Sequence, residues 1–292
     1  MELFTTKKDL RAALPNLKDQ GLLGLVPTMG FLHEGHLQLV RQAKRDCSKV
    51  AVTIFVNPTQ FGDALDLAHY PRDLERDLDL LRAENVDAVF APSRDEIYHP
   101  EHQTHVDSAQ LGGRLMGALR PGHFRGVTTV VSKLFNIIQP DRAYFGEKDY
   151  QQLLVIQTMA RDLDMPLEVI GVPTHREPDG LAMSSRNVRL SVEERRAAPV
   201  LNAALNHAEA ALAHDPNMSA EALRDLVRAK LATEPLAHVE TVDIQDATSL
   251  ADISGRLKRA AVILLAVRLG SVLLIDQRVL TPNQKLPEGQ TP

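Results

Sequence analysis

A short apolar run that ends in a turn with two histidines constrains the fold of this chain more than any other stretch. Residues 21–26 are apolar enough for a buried central strand, and Pro27 to Gly30 follow as a turn. His33 and His36 then stand at the start of an amphipathic helical pattern. Because the first N–H groups of a helix are unpaired and its dipole is positive there, this junction predicts an anion site suited to a polyphosphate.

The same order of strand and helix repeats along the first half of the chain. Strands are predicted at residues 21–26, 49–56, 86–91, 142–145 and 167–172. Helices are predicted at residues 7–17 (ending near Pro15), 36–47, 73–84, 126–138 and 150–163. This alternation predicts the α/β class, with a parallel sheet and right-handed crossovers.

The last third of the chain has a different order of elements. Helices predicted at 191–212 and 219–231 precede strands predicted at 239–244, 261–267 and 272–275. This order indicates a separate small α+β domain, with a polar hinge at residues 179–187. At 292 residues, one large α/β unit also remains possible.

Charge, cysteine content and hydropathy exclude several classes of protein. The formal net charge of -5 argues against a general nucleic-acid surface. Cys47 is the single cysteine, so no internal disulfide is possible, and we expect it to be a small buried side chain. No apolar run reaches membrane-spanning length and the first residues lack a signal-peptide core, so we expect a cytoplasmic protein without a membrane partner.

Polar loops follow the predicted strands at residues 27–36, 57–62, 146–152 and 173–187. In an open parallel sheet, ligands bind at the carboxyl ends of the strands. The glycine-rich fingerprints G-x-x-x-x-G-K-[ST] and G-x-G-x-x-G are absent, so a nucleotide site would have to use the histidines. A zinc site is disfavoured, because His33 and His36 are three residues apart rather than four and no third ligand is indicated.

These loops carry a resemblance to known enzymes. His33-Glu34-Gly35-His36 is similar to the H-x-G-H signature of a nucleotidylyltransferase superfamily, and Met183-Ser184-Ser185-Arg186 is similar to its K-M-S-K-S-type loop. Within that superfamily the chain resembles the pantoate–β-alanine ligases, and the resemblance extends over nearly its whole length. The supporting segments are Pro27-Thr28-Met29-Gly30, Phe55-Val56-Asn57-Pro58-Thr59-Gln60-Phe61, Gly146-Glu147-Lys148-Asp149-Tyr150-Gln151-Gln152 and Gly180-Leu181-Ala182-Met183-Ser184-Ser185-Arg186-Asn187.

The resemblance implies a fold and a reaction. It implies a Rossmann-like catalytic domain over residues 1–177 and a smaller α+β lid domain over residues 178–292. The carboxylate of pantoate would attack the α-phosphorus of ATP, giving pantoyl adenylate and pyrophosphate. The amine of β-alanine would then attack the acyl carbon, releasing AMP and forming pantothenate. Such an enzyme must stabilise phosphate charge and hold two anions close together.

The resemblance also implies roles for individual residues. His33, His36 and Lys148 would be catalytic: the histidines donate to phosphate oxygens, with His36 as proton donor, and Lys148 adds a positive charge. The other residues of the ATP site would be Met29, Gly30, Phe31, Leu32, Glu34, Gly35, Gly146, Glu147, Asp149, His175, Met183, Ser184, Ser185 and Arg186. His175 stands where the family has valine, so only a backbone contact to adenine is implied there.

Neutral amides are implied to bind the other substrates. Gln60 and Gln152 would contact pantoate, and Gln60 would also lie near β-alanine; Asn57 and Arg120 join them because they lie in family-like segments. Magnesium would arrive bound to the ATP phosphates, with no protein ligand predicted and Asp77 considered only for its outer shell. The implied assembly is a homodimer.

Alternatives remain for these residues and for the chain. Each site residue, taken alone, is more often structural: the two histidines could cap a helix, and Asp149 could be an N-cap. His99, His102 and His105 recur every three residues, but Pro100 interrupts any helix there, so surface or core histidines are favoured over a metal site. A phosphopantetheine adenylyltransferase and a catalytically silent nucleotide-binding protein are the rival functions.

Overall fold

The computed structural model describes residues 1–19, 21–62 and 64–282. Residues 283–292 of the predicted lid domain lie outside this range. The chain divides into two compact units, Met1–His175 and a second one that begins at Arg176. No helix in the described ranges combines the length and the apolar character needed to cross a bilayer.

The first unit is built on a parallel sheet. Within the described residues this sheet has six strands. The strands are β1 (Glu2–Phe4), β2 (Leu23–Thr28), β3 (Lys49–Ile54), β4 (Ala88–Phe90), β5 (Arg142–Gly146) and β6 (Glu168–Val172). Their order in the sheet is β1-β4-β3-β2-β5-β6. The chain moves outward from β2 in one direction to β3 and β4, then in the other to β5 and β6. The topological switch point therefore lies between β2 and β5.

Helices cover this sheet. The helices of the first unit are α1 (Lys7–Lys18), α2 (Glu34–Asp46), α3 (Ala64–Ala68), α4 (Leu74–Ala83), α5 (Arg94–Ile97), α6 (Ala109–Gly112), α7 (Met116–Leu119), α8 (His123–Ile138) and α9 (Tyr150–Asp162). Two 3-10 turns, Pro58–Gln60 and Glu147–Asp149, follow β3 and β5. Side-chain oxygens of Thr6 and Asp73 accept N–H groups at the starts of α1 and α4, as N-caps do.

Apolar cores lie on both faces of the sheet. Leu25 packs with α1, α8 and α9, whereas the next residue, Val26, packs with α2 and α4. In β5, Ala143 belongs to the same core as Leu25, and Tyr144 belongs to the same core as Val26. Strands buried on both faces explain why the sequence shows continuous apolar runs rather than alternation. Each fully buried aliphatic side chain contributes roughly 1.5–3 kcal/mol, so the sheet is the stable platform of the site.

The second unit has an antiparallel sheet, which in the described residues contains three strands in the order β7-β8-β9. Its elements are α10 (Val192–Ala197), α11 (Val200–His214), α12 (Ala220–Leu231), β7 (Ala237–Asp246), β8 (Ala261–Leu269) and β9 (Val272–Leu280). Helices α11 and α12 and the sheet share one apolar core. The predicted α/β class, with a parallel sheet followed by a smaller α+β unit, is confirmed.

Several predicted boundaries are wrong for physical reasons. The helix predicted over 191–212 is broken at Pro199, which has no N–H to donate and starts α11 instead. Helix α1 continues through Pro15 to Lys18. Strand β1, which pairs with β4 at the edge of the sheet, was not predicted, because its three residues are too few to show a periodic pattern. The strands of the second unit extend beyond their predicted ends.

Candidate active site

The switch point brings two sequence-predicted loops together. Strand β2 leads into a turn that ends at His33, the N-cap of α2, and strand β5 leads into the 3-10 turn that carries Lys148. Because β2 and β5 are neighbours and parallel, both loops leave the same edge of the sheet. The positive charge of Lys148 contributes to lowering the pKa of both His33 and His36, which places the three side chains in one group.

The two histidines form a fixed pair. Their ring centroids are 4.0 Å apart with an interplanar angle of 37°. The backbone N–H of His33 donates to Nδ1 of His36 over 3.3 Å. Because Nδ1 accepts, the proton of a neutral His36 imidazole resides on Nε2. His36 therefore presents an N–H donor on the side of its ring away from the helix start.

Both imidazoles are neutral near pH 7. Burial, followed by the nearby Lys148 charge, lowers the pKa of His33 to about 4. Burial, with the neighbouring His33 and Lys148, lowers the pKa of His36 well below its usual value. A neutral imidazole still donates one hydrogen bond to a phosphate oxygen without carrying a charge. The pair thus suits hydrogen-bond donation to an anion, while the fixed positive charge comes from Lys148.

The turn between β2 and α2 is held from α4. Both carboxylate oxygens of Asp77 accept backbone N–H groups over 2.7 Å, one from Phe31 and one from Leu32. The Asp77 side chain is only 1% exposed. From the sequence, this residue is considered only for the outer shell of magnesium. In the structure both of its oxygens hold the turn instead.

Gln60 lies beside the same turn. Its Nε2 is 3.1 Å from Sδ of Met29, and its Oε1 accepts from Nδ2 of Asn57 over 3.0 Å. Asn57 is 1% exposed, and its Nδ2 also donates to the carbonyl of Gly126 over 3.1 Å. A carbonyl can only accept, so the orientation of the Asn57 amide is determined.

The orientation of Asn57 in turn determines that of Gln60. Oδ1 of Asn57 accepts from the hydroxyl of Tyr98 over 2.8 Å and from that of Thr59 over 2.9 Å. Both hydrogens of its Nδ2 go to Gly126 and Gln60, so the atom of Gln60 on that side has to be the acceptor Oε1. Nε2 of Gln60 therefore faces the Met29 side, and Gln60 offers donors there. Asn57 positions Gln60 rather than exposing its own amide.

The two consecutive glutamines of α9 have different environments. Gln151 is buried; its Nε2 donates to the carbonyls of Leu111 and Arg114 over 2.7 and 2.8 Å, and its Oε1 accepts from the backbone of Met116. Gln152 is half-buried in the first turn of α9. The resemblance assigns a substrate role to Gln152, whereas the bracing role of Gln151 was missed, because the sequence holds no signal for it beyond the repeated residue.

The remaining predicted residues of the first unit are either charged side chains or positions that would contribute their backbone. Glu34 forms an ion pair with Arg41, which lowers the pKa of the carboxyl. Burial raises the pKa of Glu147. Asp149 lies 3.5 Å from the ammonium of Lys148, which is 17% exposed, and Arg120 lies 3.8 Å from Asp66. The backbone of Met29 to Leu32 and Gly35 follows β2, Gly146 ends β5, and His175 follows β6, the strand next to β5.

Four predicted residues belong to the second unit. Met183 precedes the N-cap Ser184, and Ser185 and Arg186 begin a 3-10 turn, Ser185–Arg189. The hydroxyl of Ser184 accepts the backbone N–H of Arg186 over 3.2 Å. The preceding turn is tied to β9, because the guanidinium of Arg176 pairs with Asp276 over 2.7 and 2.9 Å. The loop is thus locally ordered by its own unit.

The histidines at 99, 102 and 105 do not form a metal site. The ring of His102 packs edge-on against Tyr98 at 5.1 Å and against His105 at 5.3 Å. Across residues 1–19, 21–62 and 64–282, no group of three or more histidine, cysteine, aspartate or glutamate side chains could hold a metal ion. Aromatic packing accounts for the arrangement of His102 and His105.

Comparison with known proteins identifies the family. The model of the family "Pantoate-beta-alanine ligase" matches residues 2–279. The pantothenate synthetase of Roseiflexus castenholzii is 52% identical over 280 residues, which is 96% of this chain and 99% of that protein.

Solved structures agree with this match. The crystal structure of pantothenate synthetase from Thermus thermophilus is 46% identical, with a TM-score of 0.89, covering 95% of this chain and 99% of that one. The pantoate-beta-alanine ligase of Francisella tularensis, solved in complex with beta-gamma ATP and beta-alanine, is 33% identical, with a TM-score of 0.78, covering 96% of this chain and 97% of that one. The chain belongs to the pantoate–β-alanine ligase family.

Proposed function

We propose that this chain joins pantoate to β-alanine at the expense of ATP, forming pantothenate, AMP and pyrophosphate through pantoyl adenylate. Family membership supports the reaction. The observation that carries the proposal is the grouping of two neutral imidazoles and Lys148 at the switch point, with the donor side of Gln60 next to the same turn. This arrangement can hold a polyphosphate beside an anionic, hydroxylated acid.

The first step places the pantoate carboxylate against the α-phosphorus of ATP. An oxygen of the carboxylate attacks phosphorus, the bond to the bridging oxygen breaks, and pyrophosphate leaves with the electron pair. Nε2–H of His36, a donor of His33 and the ammonium of Lys148 would stabilise the added charge on the phosphates. Asp149 would accept from ribose hydroxyls. Since both imidazoles are neutral in the free chain, we assign His36 a hydrogen-bonding role before any proton transfer.

The donor polarity of Gln60 fits the acid substrate. Its Nε2 would donate to a carboxylate or hydroxyl oxygen of pantoate, and Gln152 would complete the contact. A neutral donor orients the carboxylate and leaves it nucleophilic. In the second step the amine of β-alanine attacks the acyl carbon, AMP leaves, and the amine proton passes to solvent or to the leaving phosphate.

Other parts of the assignment rest on the resemblance alone. Met183, Ser184, Ser185 and Arg186 would bind adenine and the outer phosphates, and the second unit would act as a lid. Arg120 would assist at the pantoate position. Magnesium would come with the ATP phosphates and keep most of its waters. The cytoplasmic location and the homodimer also stay predictions.

Exchange of labelled pyrophosphate into ATP tests the proposal. We expect exchange that requires pantoate and does not require β-alanine, because adenylation precedes the amine step. Exchange that is absent or indifferent to pantoate would contradict the proposal. A phosphopantetheine adenylyltransferase would instead exchange only with phosphopantetheine, and a silent nucleotide-binding protein would bind ATP without any exchange.

A further inference from the structure

We propose that Asp77, with its neighbour Arg76, is the positioning residue that fixes the orientation of His36 in the adenylation step. Both residues act on the turn that precedes the histidines rather than on the imidazole nitrogens themselves. The inference deepens the proposed function, on which its kinetic part rests.

The turn has a backbone conformation that needs support. Gly30 and Phe31 have φ angles of 80° and 52°, two successive residues in the left-handed region. A side chain such as phenylalanine adopts that region at a cost of roughly 1–2 kcal/mol. A Cβ atom on Gly30 would lie 3.0 Å from Ile54 Cγ2 and 3.1 Å from Asp77 Oδ2, so glycine leaves the space that the carboxylate occupies.

Asp77 offsets this cost by accepting two successive N–H groups of the turn. Phe31 and Leu32 each donate over 2.7 Å, one to each carboxylate oxygen. Hydrogen bonds of this type, to a charged acceptor, are about twice as strong as neutral ones. The carboxylate is anchored in turn, because α4 begins at an Asp73 cap and buries Leu78 and Leu81 in the core.

Arg76 binds Leu32 through its carbonyl, whereas Asp77 binds the N–H of the same residue. Its Nη1 donates to the carbonyl of Leu32 over 2.9 Å, and its guanidinium lies 5.5 Å from the centre of the Phe31 ring. Nη1 of Arg76 is also 3.7 Å from Oδ1 of Asp77. The first turn of α4 therefore fixes both the N–H and the carbonyl of Leu32.

The next N–H along the chain is the one that orients His36. The Leu32 carbonyl and the His33 N–H belong to one planar peptide group, so holding the carbonyl fixes the direction of that N–H. The His33 N–H donates to Nδ1 of His36 over 3.3 Å. The consequence is a continuous path from Asp77 and Arg76 to the tautomer of His36, and thus to the Nε2–H aimed at the phosphates.

The test uses Asp77→Asn, which keeps the shape but replaces one acceptor oxygen with an NH2 group that opposes a backbone N–H. Asp79→Asn is the matched control, because Asp79 lies on the same helix, is 75% exposed and pairs on the surface with Arg82. Nitrogen-15 NMR of the His36 ring is expected to show the Nε2–H tautomer in the unmodified chain and in the control, and a mixture of tautomers in Asp77→Asn.

Pyrophosphate exchange supplies the kinetic readout. We expect kcat to fall roughly tenfold to a hundredfold in Asp77→Asn, with KM for ATP changed less than about threefold, because misplacement of a catalytic group affects the reacting geometry most. Arg76→Met should shift the same signals to a smaller extent and Arg76→Lys should restore part of the loss. The Arg76 variants keep the proposal testable should Asp77→Asn not fold, since the Arg76 side chain is 47% exposed.

An unchanged His36 tautomer in folded Asp77→Asn, or in Arg76→Met where Asp77→Asn does not fold, overturns the proposal. So does a loss of kcat that only follows the folded fraction. If the unmodified chain shows no pantoate-dependent exchange, the proposed function fails, whereas the NMR comparison still decides whether Asp77 orients His36.

Discussion

The backbone N–H of His33 points at Nδ1 of His36 over 3.3 Å, which leaves Nε2 as the donor of the His36 ring. Two replacements of His36 can distinguish the contributions of its two ring nitrogens to activity. The amide nitrogen of glutamine reaches the position of Nε2, whereas asparagine reproduces the position of Nδ1. We expect His36→Asn to lower kcat for pyrophosphate exchange by roughly a hundredfold or more, as loss of one oxyanion donor does, and His36→Gln to retain more activity. Equal losses in the two variants would argue against this assignment.

The pKa of His33 predicts a pH dependence of stability. Its native pKa is about 4, against 6.5 for the unperturbed side chain. Below pH 6.5 the unfolded chain takes up a proton that the native chain refuses until about pH 4, so stability falls as the pH falls through this window. The contribution of His33 is on the order of 3 kcal/mol.

Urea unfolding at several pH values measures this effect. All four tyrosines lie in the first unit, so their fluorescence reports on that unit. His33→Asn should lose less stability between pH 6.5 and 4 than the unmodified chain. His99→Asn, a change at an exposed position of the same unit, should follow the unmodified chain. Identical pH profiles for His33→Asn and the unmodified chain would show that His33 is not the group responsible.

Much of the sheet and of the site at its switch point can be predicted from local sequence. The apolar runs of β2 and β3 are buried on both faces, so their hydrophobicity alone identifies central strands, and the alternation of elements gives the switch point. His33, His36 and Lys148 lie in, or within one helical turn of, the connections that follow neighbouring strands, and that is sufficient to predict that they lie close together.

The supporting contacts do not follow from local sequence. The hydroxyl of Tyr98 reaches Asn57 from a residue 41 positions away, and Asp77 reaches Phe31 across 46 positions. Such pairs depend on the packing of separate elements. Gln151 and Gln152 differ only in the direction they face from α9, and the apolar pattern of that helix is too broad to separate adjacent positions.

The orientation of the Gln60 amide predicts the effect of Gln60→Glu, which adds a negative charge but keeps the shape of the side chain. In Gln60→Glu one carboxylate oxygen can still accept from Asn57, but the other replaces the donor with an acceptor. We expect KM for pantoate to rise roughly tenfold to a hundredfold, because a carboxylate would oppose the acid substrate, with KM for ATP nearly unchanged. Gln110→Glu adds the same charge at an exposed position and should have no effect. A preserved KM for pantoate would contradict the donor assignment.

Close packing of α8 against the turn that carries Gln60 predicts a steric effect. A Cβ atom on Gly126 would lie 2.5 Å from the carbonyl oxygen of Thr59 and 2.8 Å from the backbone nitrogen of Gln60. Gly126→Ala therefore has to displace this backbone, and we expect a loss of about 1–3 kcal/mol in unfolding free energy together with weaker pantoate binding. Gly62→Ala is the control, because among the described residues no heavy atom apart from its chain neighbours lies within 4 Å of its added Cβ. Tyrosine-monitored unfolding and KM for pantoate measure the two effects, and equal behaviour of the two variants would refute the steric argument.

The Arg176–Asp276 pair predicts a strong coupling within the second unit. The Asp276 side chain is 1% exposed, and both its oxygens pair with the guanidinium. Removing one partner leaves a buried charge uncompensated, so Asp276→Asn or Arg176→Met should each cost about 3–5 kcal/mol, and the double variant should cost less than the sum. Native-state hydrogen exchange of β8 and β9 amides measures these values inside the unit concerned.

The pair Arg268–Glu240 on the same sheet is the control. Its side chains are 42% and 39% exposed, and its double-mutant cycle should give a coupling of less than about 1 kcal/mol. A coupling at Arg176–Asp276 as small as that of the control would mean that the pair does not hold the loop before Met183.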